Sequence, residues 1–355
     1  MELIPYFHRK IAQPAIMKNH LVLLLILALF HACNTTGPTL PAPSHLRCNF
    51  QSDPKGLLPE APFFTWWMES TTKNARQTYW QIQIATDPNF TSGNDKIIWD
   101  SDKQAAGREI QIPYDGPSLQ PTSRYYWRVR LWDEAGNVSP FSEVAQWETG
   151  PGVWAGKWIS DGSEPFIDRT EFFKDHPSPL FRKTFELTEK PEQARLYISG
   201  LGYYEAFLNG DKIGKAVLDP GWTDYGKHCL YNTYEITGML QSGRNALGVM
   251  LGNGWYNPMP INHFGRWNLR EILTIGQPKL IAELHLTYVD GRKEIILSDE
   301  SWQHGESWIL YNDVDPVYRK RPGRKIPIFF AVTARKYFST TLLSTDSATY
   351  RYSER

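Results

Sequence analysis

Apolar and polar residues alternate one by one in several short segments of this chain, and this spacing limits its fold more than any other feature. Every second residue of Trp80–Ile84 is apolar, and Tyr125, Trp127, Val129 and Leu131 would share one face of a strand. Successive side chains of a strand point to opposite faces, so alternation predicts strands with one buried face. No long segment has helical spacing, and aromatic residues at 14% provide enough large side chains for cores. We therefore predict an all-β chain.

Turn signals divide residues 44–150 into short strands, which predicts a first β-sandwich. The segment Leu119–Thr122, followed by Tyr125, resembles the corner and the next strand of a fibronectin type III or immunoglobulin-like domain. In such a corner the tyrosine hydroxyl bonds back to the backbone. Three tryptophans have two interpretations, as ligand platforms or as core and interdomain packing. They are Trp66, Trp67 and Trp99.

A second group of short apolar segments predicts a jelly-roll-like β-sandwich over residues 178–314. Residues alternate in Ala194–Ile198, and Ala246–Leu251 is typical of a buried strand. The dipeptide Asn209-Gly210 favours a type I′ hairpin turn. The fold class is thus all-β with two consecutive sandwiches.

Two loops of the second sandwich, 218–225 and 251–258, combine carboxylates, amides and aromatic rings. Rings stack on the apolar C–H face of a sugar, while Asp and Asn side chains bond its hydroxyls. The candidate carbohydrate-binding residues are Asp219, Trp222, Asp224, Tyr225, Asn253, Trp255, Tyr256 and Asn257. The alternative is that the loops are tight, glycine-enforced turns whose aromatic rings close one end of the sandwich.

An unbroken apolar run of ten residues, Leu21–Phe30, follows Lys18 near the N-terminus. A membrane-spanning helix needs about 20 residues, so this run suits the core of a signal peptide instead. Ala32 directly before Cys33 resembles a bacterial lipoprotein processing site, which predicts a lipid on Cys33. An ordinary secretory signal cleaved nearby is the alternative. Both predict export to the bacterial cell envelope, and the first adds a lipid anchor in the outer membrane or periplasm.

These observations give a predicted layout for the whole chain. It comprises a signal segment (1–33), a polar linker (34–43), a fibronectin type III-like sandwich (44–150), an irregular connector with Trp154 and Trp158 that packs between the sandwiches (151–177), the second sandwich (178–314) and an aberrant, disordered tail (315–355). Cys48 and Cys229 are expected to be structural or free.

Five motifs occur in order within the second sandwich. They are Ser199–Glu205, Leu208–Gly210, Asp219–Tyr225, Gly243 with Asn245–Gly248, and Gly252–Asn257. Together they resemble the N-terminal β-sandwich of bacterial α-L-rhamnosidases, glycoside hydrolase family 78, in which a fibronectin-like domain often precedes. The resemblance implies that intact relatives remove terminal α-L-rhamnose from rhamnose-containing glycans or glycosides. It also implies that this part of the chain binds carbohydrate or serves as a scaffold.

The resemblance further implies that hydrolysis takes place in a downstream (α/α)₆ barrel, by an inverting reaction between a carboxylic acid and a carboxylate base. We expect that barrel to be missing here, because after Val314 a basic run and a Ser/Thr-rich tail replace the family's Gly-Glu-x-Tyr-Asp-Ala-Arg segment. No catalytic residue is assigned, although Glu205, Asp211, Asp219 and Asp224 are candidate carboxylates. The alternatives are a purely structural module of a truncated gene product and an intact rhamnosidase with a frameshifted gene model.

Charge and motif content argue against other functions. Lys and Arg number 38 and Asp and Glu 38, so there is no strong net field for nucleic acid. The sequence has no His-Glu-x-x-His, Cys-x-x-Cys or Walker motif, and we expect no zinc or nucleotide cofactor. Some members of the family bind rhamnose through calcium, and Asp219, Asp224, Asn253 and Asn257 offer hard oxygen ligands. Calcium therefore stays open as a ligand.

Overall fold

A computed structural model of the chain describes residues 40–70, 72–90, 96–107, 110–164, 166, 170–171, 174–258, 262–263, 267–312, 319–320 and 351–354. The predicted signal segment with Cys33 and the first residues of the predicted linker lie outside the described residues, as does most of the predicted tail. No helix among the described residues is long and apolar enough to cross a membrane.

The first domain is an antiparallel sandwich with one additional parallel strand pair. Its strands are β1 (Ser44–Cys48), β2 (Lys55–Leu57), β3 (Phe63–Trp67), β4 (Gln77–Ala85), β5 (Ile97–Asp100), β6 (Gln104–Ala105), β7 (Ile112–Pro113), β8 (Arg124–Asp133) and β9 (Ala145–Thr149). One sheet has the order β1-β3-β7 and the other β2-β9-β8-β4-β5, with β6 paired to β4. The parallel pair is β2 with β9.

The predicted alternation in β8 is confirmed. Tyr125, Trp127, Val129 and Leu131 are all buried, and the residues between them are half-buried. The predicted corner is confirmed too, because the Gln120 backbone N–H donates to the Tyr125 hydroxyl oxygen over 2.7 Å. The core of the first domain therefore forms on the face that the sequence pattern predicts.

The second domain packs two five-stranded sheets against each other. Its elements are β10 (Pro179–Leu187), β11 (Gln193–Leu201), β12 (Tyr203–Leu208), β13 (Asp211–Lys212), β14 (His228–Glu235), β15 (Gly243–Gly252), β16 (Asn262–His263), β17 (Trp267–Asn268), α1 (Leu269–Ile272), β18 (Lys279–Thr287), β19 (Lys293–Leu297), β20 (Gln303–Glu306), β21 (Ile309–Tyr311), β22 (Arg319–Lys320) and β23 (Arg351–Glu354), with 3-10 turns at Thr237–Met239 and Gly254–Tyr256. The sheet orders are β13-β12-β15-β10-β20 and β19-β18-β11-β14-β23.

The predicted hairpin turn joins β12 to β13. Asn209 has φ 55° and Gly210 has φ 102°, and Leu208 pairs with Asp211 across the turn. A type I′ turn needs positive φ at both central residues, so the Asn-Gly prediction is confirmed.

Parts of the predicted linker and tail lie among the described residues. Leu40, at the end of the predicted linker, is 4% exposed and packs in the core of the first domain. Within residues 315–355 the structure describes β22, which pairs with β21, and β23, which pairs in parallel with β14. The edge of β14 supplies the hydrogen bonds for β23.

The connector packs against the second domain. Ile159 pairs with Leu280 of β18 as an antiparallel bridge, and the Lys157 N–H donates to the Ser298 carbonyl. Earlier in the connector, the Ala155 and Gly156 N–H groups both donate to the buried carboxylate of Glu283. These backbone bonds hold the start of the connector on the second domain.

A buried ion pair joins the two domains. The Glu148 carboxylate of β9 accepts from Arg195 of β11 through Nε at 2.7 Å and Nη2 at 2.8 Å. Arg124 donates to the same carboxylate, and Arg195 also bonds Glu235. Burial alone would raise the pKa of Glu148, but the bonds and charges of Arg195 and Arg124 outweigh burial and hold that pKa below its usual range.

Candidate functional site

The two loops predicted as a sugar site meet at one end of the second sandwich. The Trp222 and Trp255 rings lie 5.7 Å apart at a tilt of 44°. Below them Tyr225 and Tyr256 meet edge to face at 5.5 Å. Each loop therefore contributes one outer and one inner ring.

The close approach of the 251–258 loop to the turn at Gly202 requires a glycine at this position. Its φ is 108°, which favours glycine, and a Cβ at this position would lie 2.2 Å from the carbonyl oxygen of Gly252. A Cβ on Gly254 would likewise lie 3.0 Å from the Gly202 backbone. The loop that carries Trp255 thus packs directly against the backbone of Gly202. This contact fixes the height of the loop above the sheet.

The inner rings belong to a small apolar cluster rather than to the surface. Tyr225 is 2% exposed and Tyr256 is 5% exposed, and they pack with Trp158, Cys229 and other side chains. Burial raises the pKa of the Cys229 thiol to about 11 and raises that of the Tyr225 hydroxyl. These two tyrosines close the end of the sandwich, as the alternative interpretation of the loops requires.

The two asparagines of the second loop are buried and bonded inside the protein. Asn253 donates through its side chain to the Asn312 carbonyl, and its backbone N–H donates to the Asn312 Oδ1. Asn257 Nδ2 donates to Asn253 Oδ1, and the Asn257 Oδ1 accepts from Arg270 of α1 at 2.8 Å. Arg270 and Asn312 were not predicted, because neither residue shares a sequence motif with the loop. The amide oxygens of Asn253 and Asn257 thus already accept bonds from Asn257 and Arg270, respectively.

The outer residues remain accessible. Trp222 is 49% exposed, and Asp224 lies on the same loop with its carboxylate in solvent. The Asp224 carboxylate accepts from the Gly226 N–H at 3.1 Å and lies 3.1 Å from the Lys227 Nζ. Lys227 and that backbone bond hold the pKa of Asp224 below its usual range, so the group is an anion at neutral pH.

Asp219 faces another region of the surface. Its carboxylate accepts from the Tyr234 hydroxyl at 2.8 Å, and burial together with Asp219 raises the pKa of Tyr234 to about 12. Asp219, Asn232 and Tyr234 line a cleft of about 380 Å³ whose other wall is the 51–55 loop of the first domain. The sequence gives no signal for Asn232 or Tyr234, since they become neighbours of Asp219 only through sheet packing.

The four residues named for calcium each contact other groups of the protein. Asn253 and Asn257 present oxygens that already accept protein hydrogen bonds, and Asp219 and Asp224 have separate partners. The described residues contain no group of three or more His, Cys, Asp or Glu side chains that could hold a metal. No step is therefore assigned to calcium.

Three of the four candidate carboxylates have partners within the protein. Glu205 lies 2.6 Å from the Lys212 Nζ across the β12–β13 hairpin, and Asp211 begins β13. Asp219 and Asp224 have the partners described above. An inverting pair must face each other across a cleft at roughly 6.5–9.5 Å. We therefore assign no acid and base pair to these four residues.

Comparison with known families assigns both domains. Residues 43–152 match the family model of a Rha78A-like, N-terminal immunoglobulin domain. Residues 189–318 match the family model of the alpha-L-rhamnosidase N-terminal domain. The two matches fall on the first and second sandwich in the order that the sequence resemblance implied.

Relatives agree with these matches. An alpha-L-rhamnosidase of Formosa agariphila is 31% identical over 283 residues, which are 75% of this chain and 30% of the relative. One from Alteromonas sp. is 31% identical over 263 residues, 72% of this chain and 28% of the relative. The solved alpha-L-rhamnosidase of Dictyoglumus thermophilum superposes with a TM-score of 0.72 at 31% identity, covering 90% of this chain and 36% of that one. This chain thus spans about a third of the length of these proteins, and through its immunoglobulin-like domain and its N-terminal β-sandwich it belongs to the α-L-rhamnosidase family.

Proposed function

We propose that this chain is a non-catalytic, carbohydrate-binding N-terminal part of an α-L-rhamnosidase, and that it binds rhamnose-containing glycans at the Trp222 surface. The observation that carries the proposal is the half-exposed Trp222 ring, which Trp255 supports from one side and the anchored Asp224 carboxylate accompanies on the same loop. An aromatic plane with an adjacent hydrogen-bond acceptor is the smallest set of groups that can bind one sugar ring.

The buried residues of the loops have a supporting role in this proposal. Tyr225, Tyr256, Asn253 and Asn257 make internal contacts, so they hold the platform rigid and do not touch sugar. A rigid platform loses little conformational freedom on binding, which favours affinity. Of the eight candidates, Trp222, Trp255 and Asp224 are then the ones that contact ligand.

Calorimetric titration of the purified chain with L-rhamnose tests this role. We expect saturable binding that Trp222→Ala weakens about tenfold, because removing an aromatic face from a contact costs on the order of 1.4 kcal/mol. Phe50→Ala is the matched control, since Phe50 is 59% exposed but lies in the first domain. Equal affinity in wild type and Trp222→Ala would contradict the proposed platform.

A second candidate function is a purely structural module, and the burial of the inner tyrosines and asparagines favours it. In that case the chain binds no sugar, and Trp222 contacts another protein domain. Absence of L-rhamnose binding to the wild-type chain, together with a normal thermal unfolding transition, would support this second function.

The activity of the intact relatives, removal of terminal α-L-rhamnose, is not expected of this chain by itself. Three of the candidate carboxylates have a lysine or a tyrosine as partner, namely Glu205, Asp219 and Asp224. We expect no release of nitrophenol from an aryl α-L-rhamnoside. Turnover that persists through purification and is lost in Asp224→Asn would refute this assignment.

We also propose that the chain is exported and lipid-anchored through Cys33 in the bacterial cell envelope. The support is the apolar run Leu21–Phe30 followed by Ala32-Cys33. In a bacterial host, radiolabelled palmitate should enter the wild-type protein but not Cys33→Ala, with Cys229→Ala as a cysteine control. Equal labelling of wild type and Cys33→Ala would exclude the anchor.

A further inference from the structure

A cavity of about 420 Å³ lies between the two domains, apart from the Trp222 surface. Gln193 at the start of β11 lines this cavity, whereas Leu201 at the end of β11 packs in the apolar cluster under Trp222. Nine residues of extended strand separate their Cα atoms by about 26 Å. The cavity is therefore a separate place on the molecule.

The cavity wall combines hydroxyl groups with apolar surface. Thr86 and Ser123 of the first domain face Tyr197, Thr287 and Ile295 of the second. Alternating C–H surface and hydrogen-bonding groups is the lining that suits a sugar ring, and the volume lies within the range of small-ligand sites.

Tyr197 lines the cavity, and other described residues do not bond its hydroxyl. The residue is 2% exposed, and its ring packs edge to face on His285 at 5.1 Å, which fixes its orientation. The Nε2 atom of His285 is held in turn by Glu283 at 2.8 Å. Among the described residues, the Tyr197 hydroxyl has no hydrogen-bond partner, so a ligand in the cavity can bond it in place of water.

Charges at this cavity largely compensate one another. Glu148 is shared by Arg195 and Arg124, and Arg195 also bonds Glu235. These ion pairs satisfy each other at the floor of the cavity. The wall adds neutral hydroxyls and the Gln193 amide, together with one cation and one carboxylate, Lys293 and Glu294, and the His285 ring.

We propose that this interdomain cavity is a second carbohydrate site, which binds a neutral monosaccharide unit with the Tyr197 hydroxyl as one of its hydrogen-bonding groups. The inference shares with the proposed function only the idea that the chain binds glycans, and it involves none of the residues at the Trp222 surface. Occupancy would place a ligand against both domains at once and so add contacts between them.

The test uses the full chain carrying Trp222→Ala, which removes the other proposed site. L-rhamnose, D-galactose and D-glucose are each titrated by calorimetry and by saturation-transfer NMR. We expect at least one of these sugars to bind. Tyr197→Phe should weaken that binding about fivefold, because it removes one neutral hydrogen bond. Thr287→Trp should abolish binding, because the larger side chain fills the cavity. Tyr79→Phe, an exposed tyrosine of the first domain, is the matched control.

Two results would overturn the inference. One is that none of the three sugars binds in the Trp222→Ala background, and the other is that Thr287→Trp leaves binding there unchanged. Circular dichroism checks that Tyr197→Phe and Thr287→Trp are folded, and Thr287 is only half-buried, so a large side chain can be tolerated at the rim. The proposed function fails on a different result, namely an unchanged affinity for L-rhamnose when Trp222→Ala is made alone.

Discussion

Removing one partner of the Glu148–Arg195 ion pair should destabilise the contact between the two domains. Both side chains are at most 7% exposed. The carboxylate receives two hydrogen bonds from Arg195 and one from Arg124, whose Nη2 also lies 2.7 Å from Oε1. Breaking a buried pair leaves a charge without compensation and typically costs about 3–5 kcal/mol. Arg124 remains beside Glu148 in an Arg195→Met variant, so we expect the lower end, about 3 kcal/mol.

A double-mutant cycle measures this coupling. Urea unfolding is followed by tryptophan fluorescence for wild type, Glu148→Gln, Arg195→Met and the double variant. Trp147 is fully buried next to Glu148, so its emission reports on this region. The double variant should lose much less free energy of unfolding than the two single variants lose in sum, because neither charge is then left without its partner. Additive losses would refute the view that these residues stabilise each other.

The same pair predicts a pH dependence. The folded pKa of Glu148 lies below its ordinary value of 4.5, so its contribution is fully present above that pH and is lost as the pH falls through the folded pKa. The stability difference between wild type and Glu148→Gln should therefore shrink below about pH 4.5. If this stability difference stays constant from pH 7 to pH 3, ionised Glu148 is not the source of the stabilisation.

Three further predictions follow from local geometry. Gly202→Ala should destabilise the second domain by about 2 kcal/mol or more, because Gly202 has a positive φ and the Gly252 carbonyl lies close to it. The same change should weaken ligand binding at Trp222. Gly243→Ala is the control: Gly243 also has a positive φ but open space around it, so this change should lower the free energy of unfolding less in the same urea assay. Tyr125→Phe should lose the bond from Gln120 and about 1 kcal/mol of stability in the first domain, and an unchanged urea midpoint would exclude a stabilising corner. The Cys229 thiol, buried and with its pKa raised to about 11, should react with a thiol reagent at pH 8 only after unfolding, so rapid labelling of the native chain at Cys229 would contradict the structure.

The fold class and several local features could be predicted from the amino-acid sequence. Strand β8 has its buried face where Tyr125, Trp127, Val129 and Leu131 alternate, and the Asn209-Gly210 turn has the two positive φ angles that its dipeptide favours. These features depend on neighbours in the chain, because the two-residue period of a strand and the steric freedom of a turn residue are properties of the local backbone. The ordered motifs of the second sandwich identified the family for the same reason, since each is a short run of adjacent residues.

Which of the candidate site residues are accessible depends on how the chain packs in three dimensions. Asn253 and Asn257 were predicted beside Trp222 as sugar contacts, but bonds to Asn312 and Arg270 commit their side chains inside the protein. Asp219 is turned toward Tyr234 and the first domain, although it lies three residues from Trp222 in the sequence. The ion pair of Glu148 and Arg195 and the cavity beside it also join residues from different domains. Such partners are set by how the sheets pack in three dimensions, and no short stretch of sequence contains that information.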